Sequence, residues 1–128
     1  MIKIRDSVML IITPLGGGSA FDYYTIPQPS KLVSVQWAVT HDSVTDNDSL
    51  RCQIKRGTVQ SLYSGAGFPV ISEVRSQTNL VTSGLSQSAI NFTDFLGGYL
   101  EFAPNEIIGL YGIAAGFGFI TAILRFAD

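Results

Sequence analysis

The amino-acid sequence predicts an all-β protein folded as an antiparallel β-sandwich. Apolar and polar residues alternate along Lys31–His41, which is the two-residue period of a half-buried strand, and one face of it carries Val33, Val35, Trp37 and Val39. Clusters of glycine and proline divide the rest of the chain into short apolar segments, none of which has a convincing helical period. Many short strands between such turns are typical of a jelly roll, here with about 8–10 strands.

The segments with strand character follow one another with only short connections. In chain order they are Ile2–Ile12, Phe21–Ile26, Lys31–His41, Leu50–Lys55, Thr58–Tyr63, Val70–Arg75, Ala89–Phe92, Gly98–Phe102, Glu106–Ile113 and Phe117–Ala127. Leu50, Cys52 and Ile54 repeat the alternation of Lys31–His41, and the polar stretch between these two segments is rich in turn-forming residues. We therefore expect the two segments to pair as an antiparallel hairpin.

The segment Ile107–Leu124 contains 18 residues and no charged side chain. As a helix it would rise about 27 Å, just short of a ~30 Å hydrocarbon core, and Gly112 and Gly116 have the spacing of closely paired membrane helices. Against a membrane helix, four glycines interrupt the segment and no Lys/Arg cluster flanks it. We predict instead two strands joined at Ala114–Gly116 and paired as a hairpin, with no membrane span.

Both faces of the predicted last strand are largely apolar. One face is enough for a core, because a strand of an antiparallel sheet usually shows its other face to water. Loops of the same chain could cover the second face, but another copy of the chain is the simplest cover. The predicted anchors of that interface are Tyr111, Phe117, Phe119, Ile123 and Phe126.

The composition fits a single domain, 1–128, that hides part of its surface against partners. Hydrophobic residues make up 46% of the chain and charged residues 14%, whereas ordinary proteins have about 25% charged residues. The net charge is −2 and the basic residues are scattered along the chain, so no nucleic-acid partner is expected. The apolar run Val8–Ile12 is shorter than the core of about 7–15 residues that a signal peptide needs, so no targeting signal is expected.

The sequence offers little to an enzyme or to a cofactor. His41 is the only histidine and no nucleophile-elbow motif accompanies it, so we expect a solvent-facing histidine at a strand end. Cys52 is the only cysteine, and its apolar neighbours at alternate positions predict a small buried residue in place of a reactive thiol. We expect no enzymatic activity, no cofactor and no metal centre.

One polar loop is a candidate for contact with a partner or a cation. Its oxygen-bearing residues are Asp42, Asp46, Asn47 and Asp48. Calcium takes six to eight oxygens, and the loop lacks the glycine and the final glutamate of an EF-hand, so a solvated connection is the preferred interpretation. Carbohydrate binding is an alternative use of loop aromatics, for which the candidates are Tyr23, Tyr24, Tyr63 and Phe68.

Three features together resemble a known family. They are the aromatic and proline-containing segment Phe21–Pro29, the strand sequence Leu-Val-Ser-Val-Gln-Trp, and the terminal sequence APNEIIGLYG…FITAILRF. Their order is similar to that of the tumour-necrosis-factor/C1q-type jelly rolls, in which a polar turn, here Pro104–Glu106, opens the penultimate strand. The resemblance implies a trimer. Similar compact jelly rolls serve as decoration, spike and fibre-head proteins of viruses, including bacteriophages.

We therefore expect a structural virion protein on the capsid surface. Its copies would self-associate, as trimers according to the resemblance, and would bind the major capsid protein to cement or decorate the shell. The alternative is a receptor- or carbohydrate-binding head of a fibre or spike, and a secreted cytokine-like ligand is a third reading. Neither nucleic acid nor a membrane is an expected partner.

Overall fold

Two four-stranded antiparallel sheets pack face to face in this protein. The computed structural model describes residues 3–42, 50–57, 70–75, 87–114 and 116–128, and within them the regular structure is all strand. The strands are β1 (Ile4–Ile12), β2 (Ser19–Thr25), β3 (Ser30–Asp42), β4 (Leu50–Gly57), β5 (Val70–Arg75), β6 (Gln87–Phe102), β7 (Ile107–Ala114) and β8 (Gly118–Ala127). The predicted all-β sandwich is confirmed. The predicted strand Thr58–Tyr63 lies outside the described residues.

The strand order is that of a jelly roll. The first sheet has the order β1-β8-β3-β6 and the second sheet the order β2-β7-β4-β5. Every neighbouring pair is antiparallel, and the chain crosses from one sheet to the other at most of its connections. This arrangement of two interleaved four-stranded sheets is the jelly-roll form of the β-sandwich.

The two hairpins predicted from the sequence are wrong, although their strands are correct. β3 pairs with β6 and β8, while β4 pairs with β5 and β7, so these consecutive strands lie in opposite sheets. The same holds for β7 and β8, which form no ladder with each other. The physical reason is that alternation identifies the buried face of a strand, and two strands facing each other across a core alternate in the same way as two strands side by side.

The core is formed by the inner faces of both sheets. Trp37 of β3 is fully buried and donates its Nε1–H to Ser72 Oγ of β5 over 2.8 Å, which joins the two sheets by a hydrogen bond. Phe126 of β8 packs with its ring edge on to Phe102, with 6.5 Å between the ring centroids, and lies 6.0 Å from Tyr24. Fully buried aliphatic side chains fill the remainder, among them Ile26, Leu32, Leu50, Ile54, Ile108, Leu110, Ile120 and Leu124.

A register shift in β3 changes which residues face inward. The ladder skips between Leu32 and Ser34, so that both are buried while Val33 is half-buried. The predicted inward positions Val35, Trp37 and Val39 are confirmed, whereas Val33 falls on the other side of the shift. Opposite the shift, the predicted strands Ala89–Phe92 and Gly98–Phe102 form one continuous strand, β6. Within it Gly97 adopts a φ of 69°, a conformation that glycine tolerates best.

Gly112 allows the two sheets to approach closely. A Cβ at this position would lie 2.6 Å from Ile12 Cδ1 and 3.0 Å from Ile120 Cδ1, both on the first sheet. Gly112 thus allows close packing of the two sheets and does not pair membrane helices. Among the described residues there is no helix long and apolar enough to cross a membrane.

We predict that Trp37 and Ser72 are energetically coupled. Ser72→Ala leaves the buried indole N–H without its acceptor and should lower the free energy of unfolding by about 1–3 kcal/mol. Once Trp37→Phe has removed the donor, Ser72→Ala should cost about 1 kcal/mol less than it does alone. Urea denaturation of the four proteins of this cycle measures the coupling, and strictly additive losses would contradict a bond between the sheets.

We predict that Gly112→Ala destabilises the protein by about 1–3 kcal/mol, because the added methyl group overpacks the core. Ile12→Val removes the Cδ1 atom that the methyl group would meet. It should therefore cost less in the Gly112→Ala protein than in the wild type, where about 0.5–1.5 kcal/mol is usual. Thermal or urea unfolding measures both differences. A Gly112→Ala protein as stable as the wild type would rule out the close approach.

Candidate interaction surface

The outer face of the first sheet carries a group of exposed apolar side chains. In the register of β1 and β8, Met9 lies opposite Ile123 and Ile11 lies opposite Thr121. Because directly opposed residues of an antiparallel pair point to the same side, these side chains share one surface. An isolated bridge extends the pairing to Leu15 and Phe117. We name this surface the apolar face and define it by Met9, Ile11, Leu15, Phe117, Phe119 and Ile123.

The alternation of β8 accounts for the position of the apolar face. Ile120, Ala122 and Leu124 are fully buried in the core, so the residues between them point outward. Large apolar side chains are unusually exposed there: Leu15 is 68% accessible, Met9 56%, Ile11 45%, Phe119 43% and Phe117 41%. Polar residues border the group, since Arg125 donates to Gln36 Oε1 over 2.6 Å on the neighbouring strand.

The predicted interface anchors fall into three places. Phe117, Phe119 and Ile123 belong to the apolar face. Tyr111 lies half-buried on the second sheet, on the far side of the molecule, where the Lys55 ammonium is 5.0 Å from its ring centroid. Phe126 is a core residue with 1% accessibility, so it must be removed from the predicted anchors. Phe126 is two residues after Leu124 in the same strand, so both side chains point into the core.

The outer face of the second sheet is more polar than the apolar face. Gln53 donates to a carboxylate oxygen of Glu73 on the adjacent strand, and Lys55 lies beside this pair. Burial lowers the pKa of Lys55, the charge of Arg51 lowers it further, and Glu73 opposes the fall. The outer side of β4 and β5 therefore carries charged and amide groups, whereas the outer side of β1 and the first half of β8 carries the apolar face.

The only histidine and the only cysteine of the chain are both buried. His41 is 1% accessible, so the expected solvent-facing histidine is wrong; it has the parity of Trp37 and Val39 and therefore points inward. Cys52 is fully buried, as predicted. Burial raises the pKa of its thiol to about 12, and the Glu73 carboxylate adds to the rise. The thiol is therefore protonated at neutral pH.

The candidates for cation and carbohydrate binding are only partly described. Asp42 ends β3, and Asp46, Asn47 and Asp48 lie outside the described residues, as do Tyr63 and Phe68. Within the described part of the chain, no three His, Cys, Asp or Glu side chains are grouped as metal ligands. Tyr24 packs against Phe126, whereas Tyr23 is exposed.

The sequence did not reveal a basic cavity at the end of the first sheet where β1 and β3 begin. Its lining consists of Lys3, Arg5, Lys31, Tyr99 and Asp128 together with the apolar Ile4 and Ala127. They are brought together by the antiparallel neighbours β1, β8, β3 and β6. No local motif could have found the cavity, because its residues are distant in sequence and their proximity depends on strand order.

Comparisons with known proteins identify no family. No protein-family model matches the chain, and no curated protein sequence matches it. A mitogen derived from Yersinia pseudotuberculosis is similar in structure, with a TM-score of 0.42 and 11% sequence identity over 95% of this chain and 86% of that one. The VP2 subviral particle of infectious bursal disease virus is also similar, with a TM-score of 0.40 and 11% identity over 95% of this chain but 33% of that one. Similarities of this size support no conclusion about function.

We predict that the Cys52 thiol of the folded protein resists alkylation. At pH 8 the raised pKa and the lack of access should make its reaction with a maleimide at least about 100-fold slower than in the urea-unfolded protein. Mass spectrometry of timed samples measures both rates, and the unfolded protein serves as the control. Native and unfolded rates within tenfold of each other would contradict the buried position.

Proposed function

We propose that this protein is a structural component of a virion that assembles with further copies of itself through the apolar face. In this proposal the copies form a trimer, a number taken from the family resemblance, and the trimer decorates or cements the capsid by binding the major capsid protein. The exposed apolar side chains of the first sheet are the single observation that carries self-association. The jelly-roll fold, which recurs in viral capsid proteins, is compatible with the virion assignment.

The size of the apolar face supports a second copy as its occupant. A large side chain presents about 200 Å² when fully accessible, so the five exposed side chains amount to about 500 Å² of apolar surface. That value is at the upper end of the largest patch on ordinary monomers, about 300–600 Å². It is also more than half of the roughly 800 Å² that each partner contributes to a standard interface. Polar residues at the margin would supply the rest.

The asymmetry between the two sheets supports the choice of surface. Both sheets use their inner faces for the same core, so a partner that packs on a sheet must use its outer face. On the outer side of the second sheet, Gln53 and Lys55 are only 8% and 5% accessible and Glu73 is half-buried, and these groups already contact one another or their neighbours. The first sheet presents Met9, Ile11 and Phe119, whose burial against another copy would remove apolar area from water.

We predict that Phe119→Asp reduces self-association, because it puts a charge into the centre of the apolar face. Size-exclusion chromatography with light scattering should give an oligomer for the wild type at micromolar concentration and monomers, or at least a tenfold weaker association, for the variant. Tyr23→Asp is the matched control, since Tyr23 is 45% accessible on the opposite sheet compared with 43% for Phe119. The control should remain an oligomer.

A wild-type protein that is monomeric at micromolar concentration would contradict the proposal. So would equal effects of the two substitutions, because the apolar face would then have no special role. The virion assignment has its own test, which is mass spectrometry of purified particles: the chain should be present in a fixed ratio to the major capsid protein. Its absence from particles would leave self-association standing and reject the capsid role.

A further inference from the structure

The basic cavity differs from the apolar face in position and in chemistry. It lies at the opposite end of the first sheet, where β1 and β3 begin and β8 ends, and has a volume of about 550 Å³. Ligand pockets usually measure about 300–1,000 Å³, so the cavity is large enough for one or two sugar rings. A simple inorganic anion would fill only a small part of it.

Arg5 forms a fixed wall of the basic cavity. Its guanidinium donates to Asp128 Oδ1 over 2.9 Å and to Ser30 Oγ over 2.7 Å, and it lies 3.5 Å from Asp6. These contacts connect β1 to the start of β3 and to the residue after β8. Arg5 is therefore already paired and serves to hold the cavity in shape.

Two further cations of the basic cavity are not paired in this way. Neither Lys3 nor Lys31 forms an ion pair with a carboxylate of the described residues. The Lys31 ammonium lies 4.9 Å from the centroid of the Tyr99 ring. A ring face attracts the charge but does not replace an oxygen acceptor, so the N–H groups of Lys31 remain suited to an anion. The cavity is thus lined by two lysines, of which Lys31 holds its ammonium over the Tyr99 ring.

The neighbouring cavities provide a useful contrast. In the one of about 520 Å³ beside it, Arg56 is bound by both carboxylate oxygens of Glu106, at 3.1 and 3.0 Å, and stacks on Phe102 with 4.1 Å to the ring centroid. In the one of about 440 Å³, Arg125 is bonded to Gln36. Lys31 lines the cavity of about 520 Å³ as well, but the carboxylates of Glu101 and Glu106 lie there too. Of these three cavities, the basic cavity is the one lined by both Lys3 and Lys31, so an anionic group is best accommodated in it.

We propose that the basic cavity binds a sugar that carries a carboxylate, such as a uronic acid unit. The carboxylate would lie between the ammonium groups of Lys3 and Lys31. Asp128 and the Tyr99 hydroxyl offer an acceptor and a donor for the sugar hydroxyls, and the exposed part of the Tyr99 ring offers an apolar surface. The site goes beyond the proposed function and does not depend on it, because one chain supplies all of its residues.

The direct experiment is a titration of the ¹⁵N-labelled protein with D-glucuronate at pH 7 and low salt, followed by NMR. Saturable shifts are expected at Lys3, Lys31 and Tyr99, with a dissociation constant in the millimolar range expected for one small sugar. D-glucose tests the need for the charge and inorganic phosphate tests the need for the sugar. Both should bind at least tenfold more weakly than glucuronate.

Lys3→Gln and Lys31→Gln should each weaken glucuronate binding about tenfold, because each removes one charge-assisted hydrogen bond. Arg51→Gln is the matched control, since it removes the same charge from the second sheet and should leave the affinity unchanged. The NMR spectrum of each variant verifies its fold before titration.

Three results would overturn the proposal. The first is the absence of shifts at these residues of the wild type up to about 20 mM glucuronate, a concentration above the expected dissociation constant. The second is phosphate binding as tightly as glucuronate, which would indicate a plain anion site. The third is an equal loss in Arg51→Gln, which would indicate an effect of net charge alone. A monomeric wild type that binds glucuronate would contradict self-association and still support the sugar site.

Discussion

The division of the chargeless terminal segment between two sheets is the constraint on which the rest of the structure depends. β7 and β8 follow each other directly, yet they enter opposite sheets and face each other across one core. Each strand can then bury its inner face, with Leu110 on one side and Leu124 on the other. β8 lies between β1 and β3 within the first sheet, so both of its edges are hydrogen-bonded.

The same constraint gives the first sheet two distinct surfaces, one at each end. Strand parity directs the apolar residues between the core positions of β1 and β8 outward, and these form the apolar face at one end. At the other end, the start of β1 and the end of β8 bring Arg5 and Asp128 together, and these shape the basic cavity. A protein that attaches through one end and binds a ligand at the other would unite the architectural and the receptor-binding readings of the sequence.

The sequence predicted the features that depend on alternation within one strand, but not those that depend on which strands are neighbours. The fold class, the strands around Trp37 and Ile54, and the burial of Cys52 followed from alternation. Strand pairing did not, because alternation is the same for strands that are adjacent and strands that face each other. The inward position of His41 could have been read from its parity with Trp37, but a polar residue at a strand end suggested solvent. The basic cavity required strand order, which no local pattern contains.

Cross-strand NOEs of the backbone around Ala122 test the central claim most directly. The structure places Ala122 opposite Leu10 on one side and opposite Trp37 on the other. NOEs from Ala122 to residues paired with it in β1 and β3, and none to the backbone of β7, are the result that this account predicts. Strong NOEs between the backbones of Ala122 and Ile108 would show a terminal hairpin with its turn at Ala114–Gly116, and would contradict both the jelly roll and the surfaces derived from it.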